Sequence, residues 1–591
     1  MPDHTAPSST ISARVPDMLP RRATRALPLL LILAGCAPAA RAPVTLPAEW
    51  RHTGRAIVSQ GEQAMVVSSH PIASAVGRDI LRAGGNAVDA AVAVGFALAV
   101  VHPVAGNIGG GGFMVMRMAD GGTYALDYRE TAPAAATRDM YLDARGELTD
   151  KSRVGHLAAG VPGAVAGMLA AHERFGRLPR AAVLDPAIRL ARDGFVLDDH
   201  RAGSLRGAAR RLAQFDGSAR QFLINGTGGP PDGHLLVQAD LARTLEAIKA
   251  HGRDGFYRGW VADSLEAEMR RGNGIMTAAD LAAYEAKWRD PIRIDYRGHV
   301  IWSMPPASSG GATLAMILNM LEAWDPLPAW GSPELLHLQA ETMRRAFTDR
   351  NRFLGDPEFE SVPLARLVSK AHAAERRADI DPARATPTPP FDPSIVEGNN
   401  TTHYSVVDAD GNAVSTTTTI NWGYGSYVTV RGAGFLLNNE MDDFAAAPGR
   451  PNGFGLVQGE VNAIEPGKRM LSAMTPSVVV GPDGALKMVV GSPGGPTIIT
   501  QVFHVITNVI DHGMTLAEAV EAPRIHHQRL PHQPRPDGPT AYREATLDAL
   551  RAMGHTLDVG GGWGDFQAIM RTPRGWVGVS DPRAGGGGAG Y

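Results

Sequence analysis

The sequence predicts a mixed α+β protein, and three observations support this fold class. Apolar helical patterns occupy Pro71–Arg82 and Ala87–Val101. Two runs rich in β-branched residues, Thr401–Asp408 and Ala413–Ile420, are joined by residues 409–412, whose Asp-Gly pair favours a β-hairpin. With 44% hydrophobic and 20% charged residues, the chain of 591 residues has the composition of a globular protein with several domains or one large intertwined unit.

The first two predicted helices have clear ends. Gly84 and Gly85 close the first helix, and Asn86 caps the second. The second helix is apolar nearly all round, which predicts a position at the centre of a large core. A glycine run at residues 109–112 then precedes the strand-like Phe113–Met116. This order is the reverse of a dinucleotide-binding motif and the lysine of a phosphate loop is missing, so we expect the glycines to serve close packing.

The rest of the chain continues the mixed pattern. A Pro- and Gly-rich loop precedes a predicted helix over Ala312–Trp324. After the hairpin, strands are predicted over Ser477–Val480 and Leu486–Val490, and a helix over Thr497–Asp511. The formal net charge of −3 and the absence of a basic stripe argue against nucleic acid as a partner.

The N-terminus has the features of an export signal. Three arginines precede a short apolar run at residues 27–34, which is too short to span a bilayer. The run ends in Leu-Ala-Gly-Cys, which looks like a bacterial lipobox, and Cys36 is the sole cysteine of the chain. We therefore predict a lipoprotein-type signal peptide over residues 1–36, lipidation of Cys36, and a tether rich in Ala, Pro and Arg over residues 37–55. The alternative is an ordinary secretory signal with an incidental cysteine. Either way the protein is expected to be exported to the periplasm or the cell surface, with the lipid anchor as its only membrane contact.

Thr401 stands at the start of the predicted hairpin and carries the strongest chemical hypothesis. A threonine hydroxyl is a poor nucleophile unless a base lies beside it. If the chain is cut between Asn400 and Thr401, the freed α-amino group of Thr401 becomes that base.

Four later segments supply groups that suit acyl transfer. Thr419 and Asn421 lie two residues apart, so on a strand they share a face. Asn439–Asp443 contributes an amide and carboxylates, and Leu471–Thr475 contributes hydroxyls. Gly491–Pro496 ends at a predicted helix start, where unsatisfied N–H groups at the positive end of the helix dipole suit an oxyanion hole.

Each segment alone also has an ordinary structural explanation. Asp442 and Asp443 suit a solvated turn, Ser472 suits a cap, and Thr416–Thr419 suits a plain strand. His403, next to a predicted buried strand, is expected to be a packed core histidine rather than a base. The order and joint presence of the segments favour a single site.

At the level of whole motifs, the chain resembles the γ-glutamyltransferase (glutathione hydrolase) family of the N-terminal nucleophile hydrolase class. The resemblance extends from about residue 56 to the C-terminus. The matching segments are residues 85–91, 102–113, Asp127-Tyr128-Arg129-Glu130, 160–163, Thr401–Asp408, 437–444, 491–495, Ser580-Asp581-Pro582-Arg583 and Ala589-Gly590-Tyr591.

The resemblance implies a four-layer αββα sandwich and a precursor that cleaves itself before Thr401. A large subunit of residues 56–400 and a small subunit of residues 401–591 would stay together as a heterodimer. It also implies that neither a metal nor an organic cofactor is needed.

The resemblance further implies a role for each matching site residue. Thr401 matches the nucleophile, Thr419 the threonine that orients it, and Gly494 and Gly495 the oxyanion donors. The substrate-binding positions are Arg129 and Ser472 for the α-carboxylate, and Asn421, Glu440 and Asp443 for the α-ammonium. A γ-glutamyl group carries both charges on one carbon, so its site needs a cation and an anion close together.

Three residues depart from the family pattern. Ala473 stands where a second serine is usual, which removes one donor to the carboxylate at a cost of about 1 kcal/mol or more. Phe454 stands in the lid-like loop 448–455 where a tyrosine is common. Trp422 adds aromatic bulk beside Asn421. All three positions lie where the substrate would be recognised.

We therefore expect a γ-glutamyl hydrolase and transpeptidase that acts on glutathione and related compounds. Its acceptor would be water, an amine or an amino acid. One alternative is an acylase of the same fold for a glutaryl-cephalosporin or for poly-γ-glutamate. The other alternative is a non-catalytic binding lipoprotein with a dead site.

Overall fold

A computed structural model describes residues 44–387, 401–531, 533–560 and 562–591. The predicted signal peptide with Cys36, the first part of the tether, and Asn400 lie outside the described residues.

Eighteen strands occur in the described residues, and fourteen of them form two seven-stranded antiparallel sheets. Sheet I has the order β1-β17-β16-β13-β12-β9-β8, and sheet II has the order β18-β2-β10-β11-β3-β4-β7. The strands are β1 (Ile57–Gly61), β2 (Met65–Ser68), β3 (Gly111–Arg117), β4 (Thr123–Asp127), β5 (Phe195–Val196), β6 (Leu235–Leu236), β7 (Lys287–Arg289), β8 (Ile292–Tyr296), β9 (His299–Ser303), β10 (Thr401–Val407), β11 (Ala413–Thr419), β12 (Ser477–Val480), β13 (Leu486–Gly491), β14 (Ile525–His526), β15 (Arg535–Pro536), β16 (Gln567–Thr572), β17 (Gly575–Ser580) and β18 (Gly587–Gly590).

The helices of the described residues pack on the outer faces of the two sheets or lie in the segments that connect the strands. They are α1 (Pro71–Arg82), α2 (Ala87–Val101), α3 (Ala164–Phe175), α4 (Arg180–Asp193), α5 (Asp199–Leu212), α6 (Asp216–Phe222), α7 (Ala239–His251), α8 (Asp254–Tyr257), α9 (Gly259–Arg271), α10 (Ala278–Ala283), α11 (Gly310–Leu321), α12 (Pro333–Phe353), α13 (Leu364–Leu367), α14 (Lys370–Arg377), α15 (Thr497–Ile510), α16 (Leu516–Glu521) and α17 (Glu544–Ala552). None of these helices is both long and apolar enough to cross a membrane.

Successive side chains of each strand point to opposite faces of its sheet, and this alternation separates the layers of the fold. On β2, Met65 and Val67 belong to the core between the two sheets, whereas Val66 belongs to the core that contains α2. On β3, Val115 belongs to the core between the two sheets and Met114 to the core that contains α2. Helices α2 and α3 cover sheet II, and α11, α15 and α16 cover sheet I. The predicted αββα sandwich is therefore confirmed.

Helix α2 is held at the centre of the larger core. All fifteen of its residues are buried, as its apolar sequence predicted. The side chain of Asn86 accepts hydrogen bonds from the N–H groups of Val88 and Asp89, and the Asp89 carboxylate accepts from the Asn86 N–H. This capping box satisfies N–H groups that would otherwise be buried without partners.

Strands β10 and β11 form the predicted hairpin in the middle of sheet II. The register pairs Thr401 with Thr419 and Val407 with Ala413. Strand β10 also pairs with β2, and β11 pairs with β3. Sheet I likewise combines β1, β8 and β9 from before residue 401 with four strands from after it. Each sheet is therefore completed only by strands from both sides of Thr401.

Two expectations differ from the structure. The predicted shared strand face of Thr419 and Asn421 is wrong, because β11 ends at Thr419 and Asn421 has a positive φ of 70°. The predicted tether is folded over its described residues, 44–55, since Trp50 is 3% exposed and its Nε1–H donates to the Glu521 carbonyl at 2.7 Å. An indole buried against the last third of the chain makes this stretch part of the domain.

Substitution of Gly95, in the middle of α2, tests the packing of this core. A Cβ at this position would lie 2.6 Å from the Met168 sulfur and 2.8 Å from the Tyr404 hydroxyl. We expect Gly95→Ala to lower the free energy of unfolding by about 1–3 kcal/mol, because overpacking outweighs the gain in helix propensity. The measurement is the urea midpoint. Gly207→Ala in α5, where a Cβ meets nothing within 4 Å, is the matched control and should be neutral or stabilising. Equal effects of the two changes would contradict the tight packing.

Candidate active site

A single pocket of about 350 Å³ brings together residues that are far apart in the chain. Eight of the residues predicted from sequence line it: Arg129, Thr401, Thr419, Asn421, Glu440, Asp443, Ser472 and Gly495. Gly494 directly precedes one of these residues, and Asn400 lies outside the described residues. Phe454 and Ala473, two of the departures from the family pattern, also line the pocket.

The hairpin register positions the Thr401 hydroxyl. Because Thr401 and Thr419 are cross-strand partners, their Oγ1 atoms lie 3.2 Å apart. The Asn421 N–H donates to Thr419 Oγ1 at 2.7 Å, which leaves the Thr419 proton available to Thr401. The turn at Asn421 therefore fixes the rotamer of the hydroxyl that contacts Thr401.

Gly494 and Gly495 join β13 to α15 with positive φ values of 130° and 55°. Among the described residues, neither N–H donates a hydrogen bond to another protein group. The Gly494 carbonyl is held by the N–H and the hydroxyl of Thr497. Two uncommitted N–H groups at the start of a helix suit an oxygen that gains negative charge.

Arg129 is the buried cation of the pocket. Its Nη1 lies 2.7 Å from Glu440 and 3.6 Å from Glu130, its Nη2 contacts Asp443, and its Nε donates to the Met470 carbonyl at 3.2 Å. Burial opposes the charge, but Glu440 and Asp443 outweigh it and raise the pKa of Arg129.

The three carboxylates around Arg129 compete for it. Burial raises the pKa of Glu440 well above its usual range, and it also raises the pKa values of Glu130 and Asp443. The attraction of Arg129 offsets this only in part. Arg129 alone therefore does not neutralise the three acids around it, which favours an additional cation such as an ammonium group beside them.

Ser472 lies on the opposite wall. Its Oγ accepts from the Met474 N–H at 3.1 Å, and its carbonyl accepts from both the N–H and the hydroxyl of Ser309. These contacts fix the loop that also carries Ala473. Because residue 473 is an alanine, Ser472 supplies the one hydroxyl of the pair Ser472-Ala473.

Loop 448–455 contributes one aromatic ring, that of Phe454, to the pocket lining. Trp422 and Phe454 are stacked with centroids 4.8 Å apart and an angle of 9° between planes. The Trp422 Nε1–H donates to Asp442 at 3.1 Å, and a Cβ on Gly495 would lie 2.9 Å from the Phe454 ring. Phe454 thus places an apolar surface directly beside Gly495.

Sequence reasoning missed three residues of the site. Glu130 was seen only as part of a motif, Ser309 only as part of a loop, and Arg350, on α12, was not considered. All three are buried, and Arg350 lines the pocket. Nothing local in the sequence marks Arg350, because α12 reaches the pocket only through the packing of sheet I against its helices.

The other histidine and carboxylate clusters do not enter this pocket. His403 is a buried core histidine, as predicted: its Nδ1 lies 2.8 Å from Thr417 Oγ1, and burial lowers its pKa to about 3. Within the described residues, His337, Glu341 and His555 have the composition of a metal site. However, the Glu341 carboxylate accepts hydrogen bonds from Arg345 and Thr386, so it already has protein partners.

The fold and the position of Thr401 define the class. A four-layer αββα sandwich with a threonine at the first position of a central strand is the architecture of the N-terminal nucleophile hydrolases.

Comparison with known proteins narrows the class to a family. The sequence profile of the family described as gamma-glutamyltranspeptidase matches residues 73–591. The glutathione hydrolase proenzyme of Escherichia coli (strain K12) is 45% identical over 566 residues, which cover 94% of this chain and 96% of that protein. This chain therefore belongs to the gamma-glutamyltranspeptidase family, which confirms the family, the fold class and the kind of enzyme predicted from sequence.

Solved structures give the same result. The cephalosporin acylase from Bacillus halodurans superposes with a TM-score of 0.81 at 30% identity, covering 92% of this chain and 99% of that chain. The gamma-glutamyltranspeptidase of Helicobacter pylori superposes with a TM-score of 0.53 at 47% identity. The match covers 54% of this chain and 92% of that chain.

Substitution of Thr419 tests how the pocket orients Thr401. We expect Thr419→Val to lower kcat by about 10- to 100-fold, because a hydrogen bond worth about 1–3 kcal/mol to the nucleophile is lost. Thr419→Ser should restore most of the rate. The measurement is steady-state hydrolysis of a γ-glutamyl anilide. Thr418→Val is the matched control, since Thr418 precedes Thr419 on β11 and its hydroxyl donates instead to the Gly111 carbonyl on β3. A Thr419→Val enzyme with unchanged kcat would contradict the orienting contact.

Proposed function

We propose that this protein is a γ-glutamyl hydrolase and transpeptidase that acts on glutathione and related γ-glutamyl compounds. The observation that carries the proposal is the pocket itself. It holds the Thr401 hydroxyl together with a buried arginine, the buried carboxylate of Glu440 and the partly buried carboxylate of Asp443. A γ-glutamyl group is recognised by a cation for its α-carboxylate, an anion for its α-ammonium, and a nucleophile a few bonds away.

Self-cleavage before Thr401 is the first step of the proposed mechanism. The Thr401 hydroxyl attacks the preceding carbonyl, the acyl group moves from nitrogen to oxygen, and water hydrolyses the resulting ester. The products are a large subunit that ends at Asn400 and a small subunit that begins at Thr401. Because both sheets combine strands from the two sides of Thr401, the subunits cannot part without breaking both sheets. The names of the proenzyme relatives support such processing.

Catalysis then proceeds by acyl transfer. The freed α-amino group of Thr401 takes the proton from its own Oγ1, which attacks the γ-carbonyl of the donor. The N–H groups of Gly494 and Gly495 stabilise the oxyanion, and the amine product leaves with the proton. Water or an acceptor amine releases the glutamyl ester. In the substrate complex, Arg129 and Ser472 hold the α-carboxylate, and Asn421, Glu440 and Asp443 hold the α-ammonium.

A glutaryl acylase is the second candidate. The structural similarity to a cephalosporin acylase and the methyl group of Ala473 favour it. A glutaryl group lacks the ammonium, so it would leave the carboxylates of Glu440 and Asp443 without a cationic partner from the substrate. Comparison of kcat/KM for glutaryl and γ-glutamyl derivatives of one leaving group decides between the two. Faster hydrolysis of the glutaryl derivative would favour the acylase.

Export and anchoring form a separate proposal. The signal-like N-terminus and its lipobox support export to the periplasm or cell surface with a lipid on Cys36. Mass spectrometry of the mature protein measures the lipid and the position of the cut together.

Substitution of Thr401 tests both self-cleavage and turnover. We expect Thr401→Ala to remain a single chain on a denaturing gel and to lose hydrolysis of γ-glutamyl anilide, because the hydroxyl needed for both steps is gone. Thr401→Ser should be cleaved and partly active. Thr402→Ala is the matched control: its hydroxyl is buried and donates to Ser69 Oγ at 2.9 Å, away from the pocket, so two subunits should still form. Two fragments from Thr401→Ala would refute the proposal.

A further inference from the structure

Arg350 is a buried cation whose charge the protein does not neutralise by direct contact. It lies in the last turn of α12, is 1% exposed, and lines the same pocket as Thr401. Its Nε donates to Ser309 Oγ at 2.9 Å, and its Nη1 donates to Asn351 Oδ1 at 2.9 Å. Both acceptors are neutral.

No carboxylate of the described residues lies within 4 Å of the Arg350 guanidinium, and Nη2 has no acceptor among them. The other fully buried arginines differ in this respect. Arg129 contacts Glu440 and Asp443, and Arg524 contacts Asp581. A buried guanidinium without an anion is costly, so the pocket beside Arg350 favours an anionic ligand.

The position of Arg350 identifies which part of the ligand it meets. Ser309, which accepts from Arg350 Nε, also donates to the Ser472 carbonyl at 2.6 Å. Arg350 is therefore attached to the wall that carries Ser472 and Ala473. Arg129 and Asp443, which contact each other, line the same pocket as Arg350 and Ser472.

The electrostatics agree with this position. Burial lowers the pKa of Arg350 to about 10, and the charge of Asp443 opposes the decrease. The guanidinium therefore stays protonated at neutral pH, in a pocket that Ser472 and Ala473 also line.

From these contacts we propose that Arg350 is a second cation for the α-carboxylate of the γ-glutamyl donor. Together with Arg129 and Ser472 it would bind this carboxylate, and it would supply a donor in a pocket where residue 473 has no hydroxyl. The proposal rests on the proposed function, and it extends it by naming a specificity-determining residue on α12.

The test uses ligands that differ by one charged group. Against hydrolysis of a γ-glutamyl anilide, competitive Ki values are measured for L-glutamate, for glutarate, which lacks the ammonium, and for 4-aminobutyrate, which lacks the α-carboxylate. We expect Arg350→Met to raise KM for the anilide and Ki for L-glutamate and glutarate by about 10- to 100-fold. The Ki for 4-aminobutyrate and kcat should change less than threefold, because neither depends on the α-carboxylate contact.

Two further variants separate binding from structure. Arg350→Lys keeps the cation without the planar fork and should fall between wild type and Arg350→Met. Arg345→Met is the matched control, since Arg345 is a buried arginine of the same helix that contacts Glu341. It should alter stability without distinguishing the three inhibitors.

Equal changes in Ki for all three inhibitors, or a loss confined to kcat, would overturn the role of Arg350 in carboxylate binding. If the wild-type enzyme turned over no γ-glutamyl donor, the proposed function would fail separately. Glutarate and 4-aminobutyrate binding, measured by thermal shift on wild type and Arg350→Met, would then still decide whether Arg350 binds a carboxylate. If Arg350→Met fails to fold, the same comparison is made with Arg350→Lys.

Discussion

The pairing of Thr401 with Thr419 across the β10–β11 hairpin is the contact on which the site depends. Strand β10 pairs with β11 from its first residue and with β2 from Tyr404 onward, so Thr401 begins a strand in the middle of sheet II. A shift of one residue would turn the Thr401 side chain to the opposite face of the sheet. Sheet register, rather than a flexible loop, therefore fixes the position of the hydroxyl.

Charge is the second constraint, because the pocket is buried and its charged groups are not balanced in pairs. Glu130, Glu440 and Asp443 compete for Arg129, and burial raises the pKa of each of these acids. Arg350 adds a cation whose hydrogen-bond partners are neutral. Such a pocket suits a ligand that carries both signs of charge on adjacent atoms, since a zwitterion can satisfy the acids and the arginines together.

The pocket also has an apolar side. Phe454 stacks on Trp422 and lies beside Gly495, and Ala473 contributes a methyl group to the lining. Leu456, Leu471 and Ile498 extend this apolar surface. Charged groups and apolar side chains therefore surround Thr401 in one pocket.

Much of this protein follows from local sequence. The apolar pattern and Asn86 define α2, the Asp-Gly turn sets the hairpin, and the joint presence of Thr401, Thr419, Asp443 and the glycines indicates acyl transfer. The helix and the hairpin depend on residues close together in the chain, where periodicity, capping and turn geometry act directly, whereas the acyl-transfer hypothesis depends on the kinds of residue present. The turn at Asn421 was not predicted, because β-propensity does not show at which residue a strand ends and a positive φ begins.

What only the tertiary structure decided is which distant groups meet and how their charges add. Arg350, Glu130 and Ser309 are separated from Thr401 by long stretches of chain, and packing of the two sheets and their helices brings them to one pocket. The stack of Trp422 on Phe454 and the folding of Trp50 onto the domain depend in the same way on long-range burial. Sequence specifies the chemistry of each side chain, but burial and distance set its pKa and its partners, and both arise only when the layers pack.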